Sequence, residues 1–354
     1  MTVTGGRVAL VAVGSNSPTY QWWWNGTTMI TGATDPVLLI PDAASGTGSY
    51  TCVITNSAGF ATSNPAVVNT TTTTDLGRLI NLSCRAQVGT GTNIMTAGFV
   101  IGGTGVSGEQ SVLVRGTGPT LSLFALTGVL PDPKLTLNNT SAGTVVDTNT
   151  GWGGNPAIAS AAATLGAFSW GTTATADSAL LESLPPDNYT AQIAGASGDT
   201  GLALVEVYDA TPAGTYAPTT PRMVNLSALI QVGSGANVVF AGFVVGGSAS
   251  KTMLVRATGP TLGTAFGFSG VLKDPQLTLT NTSVNPSQTI TVNVGWGGDA
   301  EINTVAGSVG AFQWGLGSAD SAVLITLPPG NYTAGVAGAS GDTGLALIEL
   351  YEVD

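Results

Sequence analysis

Histidine is missing from this 354-residue chain. Its absence removes the commonest general base, the commonest metal ligand and every Ser-His-Asp or Cys-His scheme. Cysteine is nearly missing too. Cys52 and Cys84 are the two thiols, too few for a disulfide framework. Charge is scarce: 8% of residues are Asp, Glu, Lys or Arg, and the net charge is −11. The nine basic residues form no stripe, which argues against nucleic acid or an anionic membrane surface as a partner. No apolar run is long enough to cross a bilayer as a helix, so no membrane insertion is expected. No window holds a sustained helical period. The opening MTVTGGRVAL lacks the charged and apolar regions of a signal peptide, so a leader was removed or the chain is a piece of a longer secreted product.

What is present is glycine, 50 residues of it, together with Thr, Ser and Asn. Short apolar runs rich in β-branched residues are punctuated by these turn formers, which predicts an all-β protein with many tight turns. A polar surface with little charge fits an extracellular or cell-surface protein better than a cytosolic enzyme.

The first unit spans residues 1–68. It contains YQWWWNG at Tyr20–Gly26 and GSYTCVITNSAG at Gly48–Gly59. These residues resemble a bacterial immunoglobulin-like domain. The resemblance makes Trp22 the core tryptophan of strand C, and Tyr50, two residues before Cys52, the tyrosine-corner residue of strand F. The partner cysteine is absent, since valines occupy RVALVAVG. Strand B begins so near Met1 that strand A is expected to be missing, leaving an open edge that another chain could complete. Alternation puts Trp23 on the outward face, where it is a candidate interface residue.

A Thr-rich linker (69–77) precedes a duplication. Residues 78–209 and 222–354 repeat each other, and the Pro-containing segment 210–221 is expected to be a stiff spacer. RLINLSCRAQV matches RMVNLSALIQV, SVLVRGTGPTL matches TMLVRATGPTL, and AGASGDTGLAL occurs in both, at Ala194–Leu204 and Ala337–Leu347. In the first strand of each repeat, Ile80, Leu82, Cys84, Ala86 and Val88, or Val224, Leu226, Ala228, Ile230 and Val232, are expected to face inward. The pattern resembles the β-sandwich repeats of large secreted bacterial surface proteins. The expected architecture is therefore an N-terminal immunoglobulin-like sandwich plus two homologous antiparallel β-sandwich, jelly-roll-like domains.

SGDTG has no lysine, and strand patterns lie on both sides. It is read as a β-hairpin turn rather than a phosphate loop, with Asp199 and Asp342 as candidate interface residues because the motif recurs at a fixed spacing. The duplicated acids Asp132/Asp274, Asp177/Asp320 and Glu206/Glu349 are read as structural, with Asp177 and Asp320 capping local turns. A carboxylate-only glycosidase is the one enzyme reading left. No cofactor is expected. Calcium is the metal that oxygen ligands leave open, but Asp147, Asp199 and Asp299 stand alone in their loops. Trp152, Trp296, Trp170 and Trp314 lie beside glycines and are read as covering the sandwich ends; the alternative is a glycan-stacking platform. Cys52 and Cys84 both fall on inward faces of separate units, which predicts two buried free thiols and no disulfide. Together these features predict a non-catalytic subunit of an extracellular filament or surface layer. Its partner would be itself, head to tail, by strand complementation of the first domain. The alternative is an adhesin or carbohydrate-binding module that meets cell-surface glycans.

Overall fold

The computed structural model describes residues 1–170, 176–212, 214–235 and 238–354. The N-terminal unit holds β1 (Thr2–Val3), β2 (Val8–Val11), β3 (Thr19–Trp24), β4 (Thr28–Met29), β5 (Val37–Ile40), β6 (Gly48–Asn56), β7 (Gly59–Thr62) and β8 (Ala66–Thr70). The first repeat holds β9 (Arg78–Val88), β10 (Met95–Gly102), β11 (Gln110–Thr117), β12 (Pro133–Asn139), β13 (Thr144–Asn149), α1 (Pro156–Thr164), β14 (Ser178–Leu184), β15 (Asp187–Gly195) and β16 (Gly201–Asp209). The second holds β17 (Arg222–Val232), β18 (Val239–Gly246), β19 (Lys251–Thr258), α2 (Pro260–Phe266), β20 (Pro275–Asn281), β21 (Gln288–Val294), α3 (Ala300–Ser308), β22 (Ser321–Leu327), β23 (Gly330–Gly338) and β24 (Gly344–Val353). The protein is all-β, built of antiparallel sandwiches.

In the N-terminal unit one sheet runs β1-β8-β6-β3-β4 with β7 on β6, and β2 pairs with β5 in the other. Trp22 lies buried between them with Tyr50 and Cys52, and its indole N–H donates to the Asp35 carbonyl at 3.0 Å. The Tyr50 hydroxyl donates to the Gly46 carbonyl four residues back, at 2.8 Å. Each repeat uses the same device: Tyr189 donates to Pro185 and Tyr332 to Pro328, at 2.8 and 2.7 Å. All three units thus tie a strand entry to the preceding turn with a tyrosine corner.

The expected open edge is not free. A short first strand exists, β1, paired in parallel with β8 through Thr2↔Asn69 and Val3↔Thr70. The edge of β2 that it leaves uncovered is met by the second repeat. Ala9 N–H donates to Thr326 Oγ1 at 2.8 Å, the Thr252 hydroxyl donates to the Arg7 carbonyl, and the two threonine hydroxyls lie 2.7 Å apart. Ala9 and Val37 share an apolar cluster with Leu254, Trp296, Leu324, Tyr351 and Val353. The N-terminal domain is therefore a third layer on the outer face of β19 and β22. The two candidate donors of a complementing strand, the C-terminal LALIELYEVD and the linker NTTTTTDLG, are also engaged, since β24 is central in its sheet and residue 71 onward is tied to the domain and to Ser248.

The repeats are joined rather than spaced. β9 pairs with β16 of its own repeat and with β18 of the other; β17 pairs likewise with β24 and β10. Two long sheets result, β14-β11-β16-β9-β18-β23-β20-β21 and β13-β12-β15-β10-β17-β24-β19-β22, touching at Met223↔Leu79. Because β9 corresponds to β17 and β10 to β18, the joint has the reciprocal character of a two-fold interface. One buried apolar cluster runs through both repeats, from Leu79 to Leu350. Residues 216–219 of the joining segment lie along this seam: the Arg78 guanidinium sits 3.8 Å over the Tyr216 ring, and Ser107 N–H donates to the Thr219 carbonyl.

Two local expectations change. A register shift at Val244/Val245 against β9 and at Val100/Ile101 against β17 brings Leu79 and Met223 into the core, while Ile80 and Val224 are half-buried. Bulges move one residue out of phase. Among the described residues, three short α-helices also interrupt the strands. Asn155 caps α1 by accepting from Ala157 N–H, and Asp299 caps α3 by accepting from Glu301 and Ile302 N–H.

Candidate functional site

AGASGDTGLAL is not a hairpin turn. β15 pairs with β10 and β12, whereas β16 pairs with β11 and β9, so the loop between them crosses from one sheet to the other. Its glycines answer two demands. Gly198 and Gly341 have φ of +81° and +78°, a region costly for side chains, and a Cβ on Gly195 or Gly338 would lie 2.3 Å from the carbonyl oxygen of Asp199 or Asp342. The loop is held by an aspartate elsewhere. Asp132 accepts from Ala196 and Ser197 N–H and from the Ser197 hydroxyl. Asp274 does the same for Ser340. Of the two candidate interface acids, Asp199 is exposed, while Asp342 turns inward to accept from Lys273 N–H at 2.9 Å. The neighbouring carboxyl of Asp274 pushes Asp342 up, and Asp342 in turn holds Asp274 down.

Asp177 and Asp320 are fully buried and reach a segment distant in sequence, and Asp320 also bonds locally to Ser318. Asp177 accepts from Gly118 N–H at 2.7 Å and from the Thr120 hydroxyl; Asp320 accepts from Gly259 N–H at 2.6 Å and from the hydroxyls of Thr261 and Ser318. Each carboxylate pins the TGPTL segment to the start of β14 or β22. Backbone donors at a helix start are its natural partners.

A second duplicated cluster lies beside each. Arg115 is buried against Glu206 at 3.3 Å, donates to the Phe168 carbonyl, and lies over the Trp170 ring at 4.2 Å. Arg256 repeats this with Glu349 at 3.6 Å, the Phe312 carbonyl and Trp314 at 4.0 Å. Tyr208 and Tyr351 donate to Glu206 and Glu349 at 2.5 and 2.6 Å. Burial pushes both glutamates up, and the neighbouring arginine opposes it. In these clusters the acid, base and hydroxyl already serve as one another's partners. A glycosidase needs two carboxyl groups open to a sugar and a water; here the four duplicated buried acids face protein groups.

Trp170, Trp296 and Trp314 are buried and cannot stack on a sugar, which removes three of the four candidate platform residues. Trp152 is half-buried and packs edge-on to Trp170 at 5.5 Å. The difference from Trp296 comes from the N-terminal domain, which covers the second repeat alone. Trp23 is half-buried on the face opposite Trp22. Cys52 and Cys84 are free and buried, in different apolar clusters, and burial pushes the Cys84 thiol up to about 12. Among the described residues there is no group of three or more acids or cysteines arranged to hold a metal.

Sequence reasoning missed the charged seam. Arg78–Asp209 and Arg222–Glu352 are the same pair in the two repeats, at 3.5 and 2.7 Å. Glu352 also accepts from Leu79 N–H across the joint at 2.7 Å, and Asp354 meets Arg222 and Lys251. Each repeat opens with Arg and closes with an acid, so a signal was present. Five of the nine basic residues are spent in internal ion pairs.

No protein-family model matches the chain, and no curated protein matches it. Among solved structures, a chain in the atomic structure of Sulfolobus turreted icosahedral virus is similar at 12% identity, over 78% of this chain and 90% of that one, with a TM-score of 0.23. That score is too low for anything to follow from it.

Proposed function

We propose that the chain is a non-catalytic structural subunit of a bacterial extracellular filament or surface layer, assembling with copies of itself. The observation that carries this reading is the fusion of three β units into one body. The repeats share two continuous sheets, and the N-terminal domain is seated on the second repeat rather than swinging on its linker. The duplicated polar residues support it, because they hold loops and seams in place. A rigid, charge-poor body suits repetitive packing better than a turnover cycle that needs an open site. Negative-stain imaging and sedimentation of the intact chain over a concentration series test the reading: ordered filaments or sheets are expected, and a chain that stays monomeric to its solubility limit refutes it.

A further inference from the structure

The long sheets have four terminal strands, and they differ sharply. β22 is buried along its whole length beneath the N-terminal domain, and β14 is largely buried. β13 and β21 are the corresponding strands of the two repeats, and among the described residues each pairs with one neighbour, β12 or β20. β13 (TVVDTN) is exposed on both faces over five of its six residues, with Val145 at 59%. On β21 (QTITVNV), Val292 and Val294 are 45% and 54% exposed. The N-terminal domain approaches β21 near Thr291, Val292 and Asn293, with Val292 still 45% exposed, and among the described residues no strand pairs with its outer edge.

Natural edge strands are blunted by lysine, proline, β-bulges, inward charges or a covering element. β21 has no lysine, proline or charge in its strand and β13 carries one charge, Asp147; each has a single irregularity of register against its inner partner, at Val146 and Ile290, and is regular on either side of it. Both are rich in β-branched residues suited to a ladder. The chain already joins its own halves this way, through β9–β18 and β10–β17.

We infer that β13 of one copy pairs with β21 of the next, extending the sheets from subunit to subunit. The occupant is a second copy of this chain. Pairing β13 with another β13 would place two Asp147 carboxylates in one short ladder, whereas uncharged β21 imposes no such cost. The contact is heterologous, so it propagates without closing. The inference rests on the assembly reading and names its interface.

The test uses the full-length chain in three forms. Val145→Cys and Val292→Cys proteins are mixed under mild oxidation, with the buried Cys52 and Cys84 as silent background. The mixture is expected to form intermolecular disulfides at least about tenfold faster than either protein alone, because only unlike edges meet. Val292→Lys is expected to raise the concentration needed for assembly by at least about tenfold, since an unpaired charge enters the ladder. Circular dichroism confirms that its fold is kept. If the wild type assembles but Val292→Lys assembles equally well and the mixture shows no excess cross-linking, the edge pairing is wrong and the filament reading stands. Preferential cross-linking of Val292→Cys with itself also overturns the pairing, in favour of a closed dimer. A wild type that never assembles refutes both.

Discussion

Replacing Asp320 by alanine tests whether buried carboxylates hold this fold. Its side chain is inaccessible to solvent and accepts from Gly259 N–H at 2.6 Å, Thr261 N–H at 3.4 Å, and two hydroxyls. The hydroxyls of Thr261 and Ser318 can rotate to other acceptors, but the two backbone N–H groups cannot. An orphaned buried donor costs about 1–3 kcal/mol, so Asp320→Ala is expected to lose about 4 kcal/mol, including the small void it leaves. Asp320→Asn keeps an acceptor for Gly259, and its amide N–H can be accepted by the hydroxyls; about 1–2 kcal/mol should be lost. Asp177→Ala, which loses the matching bonds from Gly118 N–H, Thr120 N–H and the Thr120 hydroxyl, is the internal replicate. Urea unfolding of the full-length chain, followed by circular dichroism at neutral pH, reads the midpoints. If Asp320→Ala falls within about 1 kcal/mol of wild type, the hydrogen bonds are not what pins TGPTL to β22. If Asp320→Asn is as damaging as Asp320→Ala, negative charge matters and the donor count does not.

Three further outcomes follow from the geometry. Thr326→Val removes the acceptor for Ala9 N–H with little change of shape. It should cost about 1–3 kcal/mol and raise amide exchange at Ala9; unchanged exchange there would show that the N-terminal domain is held by packing alone. Gly341→Ala should cost about 1–2 kcal/mol for its positive φ in open space. Gly338→Ala should cost more, because its Cβ would strike the Asp342 backbone, and thermal melts of the pair test the order. The Asp342 carboxyl is raised by its neighbour Asp274, so the stability it adds is present below the ordinary carboxylate range. That stability is lost as pH rises through the raised value, and Asp342→Asn should flatten the loss in melts taken at rising pH from the ordinary carboxylate range upward.

The all-β character, the duplication, the packing of Trp22 and the Tyr50 corner could be read from residues because each is a local pattern or a direct repetition. What escaped has a common physical cause. Alternation shows which face of LINLSCRAQV is apolar, but not which strand lies along its edges. The partner of β9 in the other repeat is therefore invisible until the chain is folded. SGDTG has the turn chemistry of a hairpin, and that chemistry does not say whether the following strand stays in the same sheet. The missing-strand expectation counted strands within one domain, while Thr252 and Thr326 supply the edge from another. α1 and α3 escaped because nine residues make barely two and a half turns, though Asn155 and Asp299 mark their starts.

The two-fold joint also carries a consequence of mass action. Between separate chains, four edge strands meeting in pairs would form a dimer that dissociates on dilution. Here residues 210–221 hold the partners together, and a short tether gives an effective concentration on the order of millimolar. Dilution therefore cannot part the two halves. The body that enters any larger assembly arrives already paired, and its two repeats are free to diverge in sequence without losing each other.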